Sequence, residues 1–157
     1  MMRLNRPVRH LAATVPAMLL VVVPLAHAQA GAAPDLRGAW DAERYEMASG
    51  PVHEVRGRIL FSERDWQVLF FVLDEAGRVR RGSGEGGSYE LRPGSLVFTH
   101  LFNLSVGDAL PGLPAAELRM VARSPGEAPT EPTDLRIEGD VLTLFFPSGN
   151  RMIFRRR

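Results

Sequence analysis

From Gly38 onward apolar and polar residues alternate in short runs separated by turn signals, the pattern of antiparallel strands with one buried face. The longest run is Leu96 to Val106. Leu96, Phe98, His100, Phe102, Leu104 and Val106 fall on one face, and Val97, Thr99, Leu101, Asn103 and Ser105 on the other. This predicts a long strand with a histidine among aromatics on its inner face, preceded across a Pro93-Gly94 turn by a short strand at Tyr89–Leu91. Upstream, Gly38–Met47 reads as a first strand ended by Ser49-Gly50-Pro51. Val52–Phe61 reads as a second, with Val55, Gly57, Ile59 and Phe61 set against Glu54, Arg56 and Arg58. Gly57 within it predicts a bend or bulge.

Two stretches depart from this division. Trp66, Val68, Phe70 and Val72 oppose Leu69, Phe71 and Leu73, and Leu142, Leu144 and Phe146 oppose Val141, Thr143 and Phe145. Both faces of these strands are apolar, and a barrel has one interior, so their second faces call for a loop, a helix, another chain or a ligand. Asp74–Gly77 reads as a hairpin turn and Gly82–Gly87 as a glycine-rich link. Gly107–Pro114 and Ser124–Pro132 read as irregular loops around a strand at Leu118–Arg123. Leu135 and Ile137 begin a hairpin through Gly139-Asp140, and Pro147–Asn150 turns into a last strand at Arg151–Arg155. Roughly nine short strands without a convincing helix predict one all-β domain, an antiparallel meander closed as a barrel or folded as a sandwich.

The first residues follow a different rule. Arg3, Arg6 and Arg9 precede an apolar run at Leu11–Val23, and Ala26-His27-Ala28 is a small-x-small cleavage site. Residues 1–28 are therefore expected to be a signal peptide, with 29–157 the mature domain. The apolar run is shorter than the ~20 residues of a spanning helix, and no cysteine follows it to carry a lipid. The expectation is a periplasmic or secreted protein with no integral membrane segment after cleavage. The chain has no cysteine, so packing rather than disulfides must hold it.

Composition removes several function classes. Every basic residue is arginine, and without the three in the export segment the acids outnumber the bases. A slightly acidic exported protein is a poor partner for nucleic acid, despite the basic clusters Arg78-Arg80-Arg81 and Arg155-Arg156-Arg157. Only His53 and His100 follow the export segment, which leaves no spacing motif for a metal. Gly82–Gly87 lacks the lysine and the following helix of a phosphate loop, and no nucleophile elbow is present. No catalytic motif supports an enzyme.

Gly38-Ala39-Trp40 resembles the glycine-x-tryptophan signature of lipocalins, with Arg155 or Arg156 placed to cover the tryptophan as that family's C-terminal arginine does. Gly87-Ser88-Tyr89-Glu90-Leu91, Thr99-His100 and Glu138–Leu144 are similar to the bacterial lipocalin-like domains, so the resemblance runs from about Leu36 to Arg156. It implies a lipocalin-like, up-and-down barrel of about eight or nine strands. One open end would hold a small hydrophobic ligand. On that implication Phe61, Phe70, Phe98, Phe102 and Leu104 face inward, where they either surround a ligand or fill the core. Leu110 and Leu113 would stand at the mouth. His100 is either a polar anchor in the cavity or a structural histidine bonded to a neighbouring strand or carboxylate. No cofactor is expected; haem held by His100 is the alternative, because some small calycin-type barrels hold haem through one histidine. Two other functions stay open: an interaction protein, including a homodimer built on the two-faced strands, and a calycin-type isomerase or cyclase needing polar groups that converge in the cavity.

Overall fold

A computed structural model describes residues 35–157; the expected signal peptide and cleavage site lie outside the described residues. Nine strands follow one another: β1 (Gly38–Glu46), β2 (Val52–Phe61), β3 (Asp65–Leu73), β4 (Val79–Arg92), β5 (Ser95–Gly107), β6 (Ala116–Ala122), β7 (Thr130–Glu138), β8 (Val141–Phe145) and β9 (Arg151–Arg156). A 3₁₀ turn at Pro125–Glu127 is the one helical element among the described residues. All pairings are antiparallel. β1 to β5 pair in succession, β5 continues to β7, and β7, β8 and β9 lead back to β1. Eight strands close a barrel, and β6 is left as an extra strand.

The division of labour along β5 explains the extra strand. Its first part, Ser95–Thr99, pairs with β7, and its second part, Phe102–Gly107, pairs with β6. β4 lies along the whole of its other side. A single long strand thus serves the barrel wall at one end and a sheet extension at the other.

β4 and β7 differ from the sequence expectation. Gly82–Gly87 is not a link but the middle of β4, paired on both sides. The glycines make room: Cβ atoms on Gly82 and Gly84 would touch Phe71 and Leu69, and one on Gly86 would run into the Phe102 ring. Tertiary pairing here overrides the weak strand propensity of glycine. β7 likewise begins at Thr130, inside the stretch read as a loop, and includes Pro132. At Pro132 only the β5 side of the strand is paired, because β8 joins from Asp134 onward, so a missing N–H is tolerated.

One end of the barrel is closed around Trp40. Trp40 is fully buried and donates from Nε1 to the Leu36 carbonyl at 2.8 Å, and Leu36 is itself buried beside it. The Arg156 guanidinium lies 4.1 Å from the Trp40 ring centre and also donates to the Asp35 and Arg37 carbonyls. Of the two arginines the sequence offered, Arg156 covers the tryptophan. Arg155 turns outward to Glu43 and Asp140. Burying a large side chain contributes about 1.5–3 kcal/mol, so this plug fixes the lower end of the core. Above it pack Val55, Ile59 and Phe61 of β2, Leu96 and Phe98 of β5, and Leu142 and Leu144 of β8.

Candidate functional site

The inner face of β5 changes phase midway. Gly87 pairs with His100 and Gly86 with Phe102, so Leu101 is an extra residue bulged out of the ladder. Leu96, Phe98 and His100 point inward before the bulge. Beyond it Leu101 and Phe102 line one shallow depression on the outer wall, and Phe102, Leu104 and Val106 are exposed. One inserted residue reverses the alternation of everything after it. Gly87 permits the bulge, because a Cβ there would collide with the Thr99 carbonyl oxygen.

His100 is the last inward residue before the reversal, and its environment is polar on one side. Its Nδ1 lies 2.9 Å from Glu85 Oε2 on the neighbouring β4. An ionised carboxylate only accepts, so Nδ1–H is the donor and Nε2 is the remaining ring nitrogen. Ser83 Oγ donates to the other Glu85 oxygen at 3.4 Å. Glu131 enters from the opposite flank, on β7, in register with Phe98. Burial pushes the Glu131 carboxyl above its ordinary value; the Glu85 charge adds to this, and His100 opposes it. The Trp66 ring packs 4.3 Å from Phe98 and edge-on to His100 at 5.2 Å. Its Nε1–H is buried and has no hydrogen-bond partner among the described residues.

Glu85, Glu131, His100, Trp66 and Phe98 line one cavity of about 200 Å³, partly open to solvent. Ile59, Val68, Phe98, Leu144, Met152 and Phe154 form its apolar wall. Tyr45, Phe146 and Ser148 place its mouth at the β8–β9 turn, away from the Trp40 plug. A bulge in β1 around Glu43 brings Tyr45 inward, and its hydroxyl accepts from Asn150 Nδ2 at 3.0 Å. Desolvation raises the Tyr45 phenol further above its usual range, so it stays neutral.

Three of the residues expected from sequence meet at this cavity: His100, Phe98 and Phe70. Phe61 is buried next to them, stacked on Phe98 at 6.3 Å and edge-on to Tyr89 at 5.3 Å, and belongs to the packed core. Phe102 does not join them, nor does Leu104, because the Leu101 bulge turns both outward. Leu110 and Leu113 pair with each other in a tight bridge and pack against the core, outside the cavity lining. Their loop is held against the β1–β2 turn, where His53 Nε2 meets the Pro111 carbonyl at 2.9 Å, and Leu110, Pro111 and His53 line a separate open pocket of about 700 Å³ instead. Glu85, Glu131, Tyr45 and Ser148 escaped sequence reasoning. Glu85 stood in a presumed glycine link and Glu131 in a presumed proline loop. The period-two spacing of Glu131, Thr133, Leu135 and Ile137 was the signal that could have recovered β7.

An eight-strand meander closed by its last strand on its first, with a tryptophan capped by a C-terminal arginine, is a lipocalin-like barrel. No protein-family model matches the chain, and no curated protein matches it. Among solved structures it is similar to a lipocalin-like protein from Bacteroides uniformis ATCC 8492, at 18% identity and a TM-score of 0.48. That match covers 79% of this chain and 100% of that one. It is also similar to an uncharacterized protein from Bacteroides eggerthii DSM 20697, at 16% identity and a TM-score of 0.46, covering 78% of this chain and 100% of the other.

Proposed function

We propose that the protein is an exported carrier or sensor that binds a small, largely apolar molecule in the barrel cavity. The observation that carries this reading is a space of about 200 Å³ left in a core that is otherwise packed, with apolar walls and a few polar groups at one side. Such a lining fits a binding site, and an apolar cavity of roughly 150 Å³ already accepts a benzene-sized guest. Volume weighs against haem on His100, because even drug-sized ligands occupy roughly 300–1,000 Å³ and a porphyrin is larger than the space available. Native mass spectrometry of protein purified from the periplasm tests the reading. A small-molecule adduct on the wild type that disappears from Val68→Phe, which fills the cavity, is the expected result. A bare wild-type mass under conditions that preserve weak complexes would overturn it.

A second reading is favoured by the outer wall. Leu69 and Phe71 of β3, Phe102, Leu104 and Val106 of β5, and Met120 of β6 are all exposed, the last by 73%. Between them runs the side-chain-free strip of Gly82, Gly84 and Gly86. The six side chains expose on the order of 500 Å² of apolar surface, in the upper part of the roughly 300–600 Å² of a typical monomer's largest patch and more than half of the roughly 800 Å² per partner of a stable interface. A second copy of the chain is the occupant this self-complementary face fits, packed sheet on sheet about a two-fold axis. The outer face of β8 needs no such cover, since the Arg136 guanidinium lies 5.7 Å from the Phe145 ring centre. Light scattering should return a dimer at micromolar concentration and a monomer for Leu104→Arg. A wild type that stays monomeric up to millimolar concentration would remove this interface.

A further inference from the structure

We propose that the cavity selects a compact amine, protonated at neutral pH, whose apolar body also carries a hydrogen-bond acceptor. The inference rests on the ligand-binding reading above and names the chemistry of its ligand. Three observations support it. The first is the balance of charge: the lining contains two carboxylates, Glu85 and Glu131, and one basic group, His100, already engaged by Glu85. The second is what the lining leaves out. Every cationic side chain outside the histidines is an arginine, and no arginine lines the cavity. Arg123 comes nearest in the hydrogen-bond network but spends its guanidinium on the His100 carbonyl, and Arg92 on Glu90. Among the described residues, none stands within ion-pair distance of Glu131. A ligand carboxylate would therefore meet two acids and no arginine clamp, whereas an ammonium group would give Glu131 a direct counter-charge where His100 acts on it only from a distance.

The third observation is independent of the acids. Trp66 is 5% exposed, lines the same cavity, and has a buried Nε1–H with no acceptor. The unpartnered donor is enclosed by the wall rather than open to the cavity, so a ligand oxygen relieves its desolvation cost only where the Trp66 ring shifts to meet it. Between Glu131 and Trp66 the wall is aromatic and aliphatic, and the volume limits the body to about one ring with a short side arm. A hydroxyaryl amine has this combination of charge, acceptor and size.

Isothermal titration with three isosteres separates the possibilities: tyramine as the cation, 4-ethylphenol as the neutral body and 4-hydroxyphenylacetate as the anion. Tyramine should bind about tenfold tighter than 4-ethylphenol, the scale of a charge-assisted hydrogen bond, with the anion weakest. Glu131→Gln, which keeps the shape of the side chain, should bring tyramine down to the affinity of 4-ethylphenol and leave 4-ethylphenol unchanged. Equal or tighter binding of the neutral or anionic probe would overturn amine selectivity while leaving the cavity as a binding site. Failure of all three probes to bind, with the cavity-filling Val68→Phe variant indistinguishable from wild type, would overturn both. Retention of the tyramine preference in both Glu131→Gln and Glu85→Gln would also count against the proposal, since no other acid lines the cavity.

Discussion

Two residues concentrate the physical chemistry of this barrel. Glu131 is a carboxyl whose burial disfavours its charged form. Its folded-state value lies above the 4.5 of an ordinary glutamate, so its contribution to stability is fully present below 4.5 and is lost as pH rises through the folded value. Glu131→Gln removes that dependence. Thermal melts of both proteins should show the wild type losing ground to the variant as pH increases above 4.5; parallel curves would mean that Glu131 is well solvated. Arg156 works at the other end of the molecule. It stacks on Trp40 and holds two carbonyls of the Asp35–Arg37 segment, whereas its neighbour Arg155 makes only exposed ion pairs. Urea unfolding should give a loss of about 1–2 kcal/mol for Arg156→Ala and a clearly smaller loss for the solvent-screened Arg155→Ala. Equal losses would mean that the cap adds nothing beyond surface charge.

At the scale of the element, β5 decides what the site contains. Without the Leu101 bulge, Phe102, Leu104 and Val106 would continue the inward row of Leu96, Phe98 and His100, and the cavity would be lined by more apolar bulk. With it, the row stops at His100 and the outer wall becomes apolar instead. The bulge depends on the close approach of Gly87 to the Thr99 carbonyl, which leaves no room for a side chain. Gly87→Ala should therefore destabilise by roughly 2–3 kcal/mol or more, as overpacking against fixed backbone does. It should also shift the Trp66 fluorescence, because that ring packs against both Phe98 and His100. Gly84→Ala is the control: a Cβ there meets its nearest neighbour, a Leu69 methyl, at 3.6 Å, an ordinary contact, and its cost should stay below about 1 kcal/mol.

At the scale of the whole molecule, the barrel has a closed end at Trp40, a cavity with its mouth at the β8–β9 turn, and an apolar outer wall formed by β3, β5 and β6. The cavity and the apolar wall are thus on different faces, so a dimer formed on that wall would leave the mouth accessible. The expected export adds a prediction of its own. Protein recovered from the periplasm should begin at Gln29 by N-terminal sequencing, and a chain retaining residues 1–28 would show that the apolar segment is kept.

The sequence by itself determined the class of fold. Period-two alternation and turn chemistry are local properties, so the succession of strands and the inward placement of Phe98 and His100 could be read along the chain, while the pairing of Trp40 with a C-terminal arginine followed from the resemblance of Gly38-Ala39-Trp40 to the lipocalin signature. Where alternation was masked, the reading failed. Glycines hid the middle of β4 and prolines hid the start of β7, and with them went Glu85 and Glu131, the two acids that give the cavity its character. Phe102 failed for a different reason: a bulge inserts one residue between two strands, and its presence depends on the partner strand rather than on the strand that carries it. Local sequence sets which residues alternate; only the closed tertiary pairing decides where the phase reverses, and therefore which side chains meet inside.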